Sequence, residues 1–318
     1  MNERAYRHHD DQVVALTRAE AGAALDGTGF VWVHFDVCDD DARAWLGQVA
    51  KLSDVVVAAL LATETRPRFD AFDDGALLNL RGPAIEGADS SDLLASIRLW
   101  VAQGQVFSVA RHALRALDVI EMQMKACRIV DPGDLVASLA SEITAELDPD
   151  VAKLGDTLDH CEEVFGDRNA LALRRIIART RSRAIAYRRF VSPQRTALER
   201  LAGFDAAWIG DDDRLHLNEA ANRAARMTEE LEAIRERAAL LHEQLTDMRA
   251  EMIDTRGLVL SIVALIFLPL TFLTGLIGMN VEGIPYADEP WAFGAIVTLC
   301  VVIALAIATY FARTRWFR

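Results

Sequence analysis

The stretch MRAEMIDTRGLVLSIVALIFLPLTFLTGLIGMN, residues 248–280, decides how the rest of the chain is read. Its beginning is charged, and from Gly257 to Val281 there follow 25 uncharged residues in a row. At about 1.5 Å per residue, such a run crosses the roughly 30 Å hydrocarbon core of a bilayer. A second run, the 22 residues Trp291–Ala312, is also long enough. The sequence therefore predicts two membrane-spanning helices, joined by nine residues (282–290) with three acids and no Lys or Arg. Arg249 and Arg256 precede the pair, and Arg313, Arg315 and Arg318 follow it. Excess arginine marks the cytoplasmic side. Both termini are expected in the cytoplasm, the acidic loop outside, and the chain in the inner (plasma) membrane.

The 318 residues have a formal net charge of −13. Beyond residue 256, three acids offset three arginines, so the whole charge lies on the preceding part. Such a surface repels nucleic acid and attracts cations, so no nucleic-acid partner is expected. The polar start MNERAYRHHDDQ is not a signal peptide, which leaves membrane insertion to the C-terminal pair. Cys38, Cys127, Cys161 and Cys300 form no CxxC pair and are expected as reduced thiols. No GxSxG, HExxH, Walker A or dinucleotide fingerprint occurs, so neither enzyme activity nor a cofactor is expected.

Ahead of the spans, TGFVWVHFDV (28–37) alternates as a half-buried strand does. LLNLRG (77–82) and SIRLWVAQGQVFSVAR (96–111) read as further strands, the latter a hairpin about Gln103-Gly104. DARAWLGQVAKLSDVVVAALLATE (41–64) reads as a helix. Residues 112–208 read as antiparallel helices broken at Asp131-Pro132-Gly133 and Ser192-Pro193. The expected organisation is an α/β and helical domain over 1–212 and a stalk helix over 213–256. A first span over 257–281, a loop over 282–290, a second span over 291–312 and a basic tail over 313–318 complete it.

The stalk opens on Asp211-Asp212-Asp213, acids suited to a helix N-terminus. Leu217, Ala220, Ala224, Met227, Leu231, Ile234, Ala238, Leu241, Leu245, Met248 and Met252 then recur in steps of three and four, a packing seam. The same steps taken from Glu229 give a second stripe through Ala233, Glu236, Leu240, Glu243, Asp247, Ala250 and Asp254. In the span it continues through Gly257, Ser261, Ala264, Leu268, Thr271, Gly275 and Gly278. A solvated acidic face below a small-residue packing face fits this pattern. A continuous cation path, pore above and acidic funnel below, fits it equally. Pro269 makes a kink there an expectation. Two spans cannot enclose water alone, so a path requires several copies, which multiply Asn280, Glu282, Asp288 and Glu289 into rings.

Two C-terminal spans, a short acidic loop, Gly278-Met279-Asn280 closing the first span and a basic tail together resemble the CorA-type metal-ion transporters. Val281-Glu282-Gly283-Ile284-Pro285 and Arg98-Leu99-Trp100 are similar to the zinc-transporting ZntB branch. The magnesium branch more often follows its Asn with Phe-x-x-Met-Pro-Glu-Leu, which this loop lacks. The resemblance implies a homopentameric funnel with an α/β/α portion outside, a pore-lining first span, and the Gly278-Met279-Asn280 ring as selectivity element at the periplasmic entrance. It implies uptake of zinc, with cadmium, nickel and cobalt alongside, and proton coupling as an expectation of the zinc branch. The first span holds no Cys or His, so a permanent tetrahedral zinc cage is not expected there. Oxygen donors suit a cation that keeps its water. A magnesium or cobalt channel is the same-class alternative; a membrane-anchored sensor or scaffold without transport is the different-class one.

Three histidine groups lie outside this frame. His242, next to Glu243, is a candidate for proton coupling or metal binding. His160-Cys161-Glu162-Glu163, with Asp156 one turn earlier, is a candidate zinc site weighed against an ordinary helix surface. His8-His9-Asp10-Asp11 reads as a disordered polar terminus in preference to a metal-binding arm.

Overall fold

The computed structural model describes residues 4–36, 40–63, 66–85, 94–165, 170–279 and 289–313. The chain divides into two compact units, residues 1–242 and 243–318. The first unit is built on a seven-stranded sheet of β1 (Arg4–His9), β2 (Gln12–Ala15), β3 (Phe30–Phe35), β4 (Arg68–Phe72), β5 (Gly75–Pro83), β6 (Leu94–Ala102) and β7 (Gln105–Ala110). Its order is β2-β1-β3-β7-β6-β5-β4, antiparallel except where β3 runs beside β7. All six residues of β3 are buried, so the sheet is covered on both faces there.

Three short helices cover one face: α1 (Arg18–Ala24), α2 (Asp40–Ala44), which passes into a π turn over Trp45–Val49, and α3 (Asp54–Leu61). Val31, Val33, Phe35, Leu46, Leu60 and Phe107 meet in the core beneath them. The run 41–64 is thus two helices rather than one. Lys51 takes a φ of +56°, which a helix cannot continue through, and Ser53 restarts the helix by accepting from Val56 N at 3.5 Å. On the opposite face α4 (Arg115–Lys125) packs with α5 (Pro132–Glu163). Gly82 lies so close that a Cβ there would stand 3.2 Å from Ile143 of α5. The α/β/α layering follows.

The N-terminus corrects the sequence reading. His8 and His9 lie in β1, paired to β2, rather than in a disordered terminus. Asp10 and Asp11 form the two-residue turn with φ of +49° and +55°, the backbone a type I′ hairpin demands and one that Asp tolerates. The Gln103-Gly104 hairpin forms as expected, with Gly104 at φ +72°.

The break expected at Ser192-Pro193 does not occur. Helix α6 (Ala170–Ala202) runs through Pro193, and α5 likewise runs through Pro149. Proline inside a helix removes one hydrogen bond at a cost of about 3 kcal/mol, which burial on the helix's packed face offsets. Val191, Gln194, Ala197 and Leu198 around it are buried. The Asp131-Pro132-Gly133 break is real: Asp131 accepts from Asp134 N at 2.9 Å and caps α5, with proline in the first turn.

Helix α7 (Asp211–Ile277) begins in the first unit and extends into the second. Every seam residue from Leu217 to Leu245 is buried, while Met248 and Met252 are half-buried. Within the first unit, Arg237 joins α7 to α5 through Asp159 at 2.6 Å and Glu162 at 3.0 Å. Arg188 of α6 meets Glu232 at 2.9 Å on the other side. The second unit holds the rest of α7 and α8 (Ala292–Arg313). Its large apolar side chains stand exposed, Leu268 at 76% and Phe293 at 79%. Such surface is stable only against lipid or other protein. Both helices are long and apolar enough to cross a membrane.

Candidate functional site

A helix with one buried seam has one face turned most directly away from it. At about 100° per residue, that face of α7 is the acidic stripe. In the first unit Glu229, Ala233, Glu236 and Leu240 are all exposed, whereas the seam beside them is buried. In the second unit Glu243, Asp247, Ala250 and Asp254 are exposed as well. Among the described residues none of these five acids forms a close ion pair, although the charge of Arg195 reaches Glu229. A row of carboxylates without ion pairs holds a negative potential.

The membrane-side stripe residues Gly257, Ser261, Ala264, Leu268, Thr271 and Gly275 are exposed too. The hydroxyls are already committed as donors. Ser261 Oγ donates to the Gly257 carbonyl at 2.8 Å, and Thr271 Oγ1 donates to the Phe267 carbonyl at 2.8 Å. Such a hydroxyl needs no donor partner in lipid, and its oxygen lone pairs remain for a cation or its water. Helix α7 is continuous through Pro269. At its end Gly278 N donates to the Thr274 carbonyl at 2.9 Å, and Met279 is half exposed. Asn280, Glu282 and Asp288 lie outside the described residues. Glu289 is exposed, and its carbonyl accepts from Ala292 N at 3.1 Å where α8 begins.

The two histidine candidates lie apart from the stripe. His242 is half-buried in a groove of about 280 Å³ between α6 and α7, beside Ile177, Arg181 and Ala238. His160 is exposed with Nδ1 3.8 Å from Glu163 Oε2, and Cys161 is buried and turned away from it. No third ligand joins that pair among the described residues.

A different acidic group does come together. Ligand oxygens of Asp131, Asp134 and Asp213 lie within 4.8 Å of one another where α5 and α7 begin. The sequence displays both acidic caps but not their meeting, which depends on how two helix N-termini pack. Asp213 accepts from Gly210 N at 2.8 Å; burial, and then the charges of Asp131, Asp134 and Asp212, push its carboxyl up to about 6. Its stabilising contribution is therefore complete below the unfolded carboxylate range and lost as pH rises through about 6. Asp213→Asn keeps the acceptor and removes the charge. It is expected to stabilise the protein by about 1 kcal/mol at pH 8, an advantage that fades toward pH 4, as thermal melts at the two pH values will read.

Ser108, His34 and Asp36 have the composition of a hydrolytic triad but not its chemistry. Trp32 Nε1 donates to Ser108 Oγ at 2.9 Å, and His34 Nδ1 lies 2.8 Å from the same oxygen. Ser108 is fully buried, so no substrate reaches it. Burial holds His34 below its ordinary range, which keeps the imidazole neutral in the core.

Comparison with known proteins agrees with the fold, an α/β domain followed by a long helix and two candidate spans. Residues 27–313 match the family described as CorA-like Mg2+ transporter protein. The zinc transport protein ZntB of Pectobacterium carotovorum subsp. carotovorum (strain PC1) is 30% identical over 291 residues, 90% of this chain and 87% of that protein. The structure of the full-length CmaX protein superposes with a TM-score of 0.80 at 29% identity, covering 98% of this chain and 97% of that one. The CorA magnesium transporter from Methanocaldococcus jannaschii gives a TM-score of 0.81 at 18% identity, covering 99% of each chain, and shares the fold.

Proposed function

The chain belongs to the CorA-like Mg2+ transporter family, membrane transporters of divalent cations, and on that premise we propose that it carries zinc into the cell along the α7 stripe of a homopentamer. The observation that carries this reading is the stripe itself: exposed carboxylates opposite a seam that is buried from Leu217 to Leu245, followed at the same spacing by hydroxyl and glycine positions. Five copies turn Glu229, Glu236, Glu243, Asp247 and Asp254 into rings that concentrate cations. Gly278, Met279 and Asn280, with Glu282, Asp288 and Glu289 beside them, form the periplasmic entrance. The similarity to zinc transport proteins supports zinc as the cargo, and the arginines flanking the two candidate spans support an inner-membrane location with both termini in the cytoplasm. The stripe offers oxygen alone, so the cation passes with much of its water and is sorted by size and charge.

A second reading, passage of hydrated magnesium or cobalt, draws on the same lack of Cys and His along the stripe. One experiment separates them. Purified protein in liposomes loaded with a zinc-sensitive dye is expected to admit zinc, faster when the outside is more acidic. Influx indifferent to the gradient, with magnesium passing as readily, makes it a channel for hydrated cations. Absence of flux for every divalent cation overturns transport along the stripe and leaves it a packing face.

A further inference from the structure

The charges of the first unit are sorted by helix. Helix α5 carries nine acids and one lysine, and α6 nine arginines and one glutamate. They flank α7 on opposite sides of its exposed stripe. Arg237 of α7 faces α5, whereas Glu232, Arg235 and His242 face α6.

On the α6 flank lies an open groove of about 550 Å³, lined by Arg66, Arg188, Arg189 and Arg235 with Ile185 and Pro193 between them. Glu232 pairs with Arg188 and Arg235, but among the described residues no carboxylate meets Arg66 or Arg189. The groove keeps a surplus of positive charge in a chain of net −13. Ile185, 49% exposed, also lines the groove at His242, so the two adjoin along α6 and α7. On the α5 flank the imbalance is reversed. Asp148, Asp156 and Glu230 are exposed, and among the described residues none has a basic partner. They are close enough that partial burial and the two aspartates hold the Glu230 carboxyl above its ordinary range.

We propose that the arginine trough on the α6 flank of one copy receives the Asp148–Asp156–Glu230 face on the α5 flank of the next copy, and that this contact closes the ring. The inference rests on the ring assumed above and specifies which surfaces build it. Three arguments carry it. The patches are complementary in charge, each with groups its own chain leaves unpaired. They also lie at one level of α7: the trough is centred on residues 232–235 and the acids on 230, about 8 Å apart or less along the helix. Rotation about an axis along α7 adds no translation, so patches that meet in a ring must share a level. Finally, a two-fold dimer through either patch would set like charge against like. Head-to-tail contact is the arrangement that pairs them, and it leaves the acidic stripe free to face the axis.

The test uses the full chain in detergent or nanodiscs, in a Cys38→Ser, Cys127→Ser background, Cys127 being the exposed thiol among the described residues. Arg189→Cys and Asp156→Cys in one polypeptide sit on opposite flanks, so their disulfide joins copies. Oxidation is expected to give a ladder of covalent oligomers ending at the ring, about tenfold stronger than either single variant. In parallel, Arg66→Glu with Arg189→Glu, and separately Asp156→Arg with Glu230→Arg, are expected to weaken assembly about tenfold at low salt by native mass spectrometry. The four changes together restore it. These side chains hold no ion pair in their own chain among the described residues, so thermal melts of the variants stay near the parent's. Intact oligomers with no ladder and no response to reversal overturn the interface while the ring reading stands. A monomer under all conditions overturns both. Binding of pyrophosphate that Arg66→Glu with Arg189→Glu abolishes, without a ladder, assigns the trough to a small anion and overturns the proposal.

Discussion

Asn280→Ala is expected to reduce zinc influx into liposomes by well over tenfold, to the level of empty vesicles. The residue is the second-last of a run of uncharged residues, where a lone carboxamide would have no use. In the proposed five-fold ring the same side chain would supply five carbonyl oxygens to the water shell of an arriving cation. Each such hydrogen bond contributes about 0.5–1.5 kcal/mol, so losing the ring removes several kcal/mol of cation stabilisation, and each 1.4 kcal/mol is about tenfold. Asn280→Asp separates charge from shape. It is expected to keep influx and weaken selectivity, since five carboxylates hold any divalent ion more tightly. Glu236→Gln together with Glu243→Gln should do less, about a few-fold at low salt and nothing at high salt, because exposed rings act by attraction that salt screens. Unchanged influx in Asn280→Ala would remove the amide ring from the mechanism.

Arg98→Leu is expected to lower the stability of the first unit by about 3 kcal/mol without altering which ion passes. Arg98 is 1% exposed, on the inner strand β6. Its Nη1 donates to the Leu60 carbonyl at 3.1 Å and its Nη2 to Ser96 Oγ at 3.2 Å. Arg111 donates from Nη2 to the Leu61 carbonyl at 3.3 Å. Two guanidiniums thus close the C-terminus of α3, where the last carbonyls lack helical partners and the dipole favours positive charge. Leucine removes the Arg98 donor from the Leu60 carbonyl. Arg98→Lys keeps one donor but not the fork and should recover part of the loss. Thermal melts followed by tryptophan fluorescence will report it, and a melt unmoved by Arg98→Leu would show that water replaces the guanidinium. Arg98 is thus one of the residues on which the likeness to zinc transport proteins was noted, yet its work is structural.

The sequence by itself determined the elements that repeat over many residues. Apolar runs of bilayer length mark the spans whatever surrounds them. The seam of α7 was legible because one missed step in a helical period would turn a large side chain into water, and each position from Leu217 to Leu245 is buried as the spacing requires. The acidic stripe followed from the same arithmetic, as the face opposite the seam. Gly278-Met279-Asn280 stands out in the sequence through its place between two apolar runs. Short-range features were less so. The β1–β2 hairpin depends on two aspartates in a left-handed turn, which a polar tetrapeptide does not announce. Pro193 looked like a stop because proline ends an isolated helix, and only the packed face of α6 holds it in place. What tertiary structure alone decided is which charges meet. Asp131, Asp134 and Asp213 are brought together by two helix N-termini, and Arg66, Arg188, Arg189 and Arg235 by a loop and two antiparallel helices. Periodicity fixes the face a residue occupies on its own helix, but pairing across helices depends on packing angle and axial level, which no local pattern encodes.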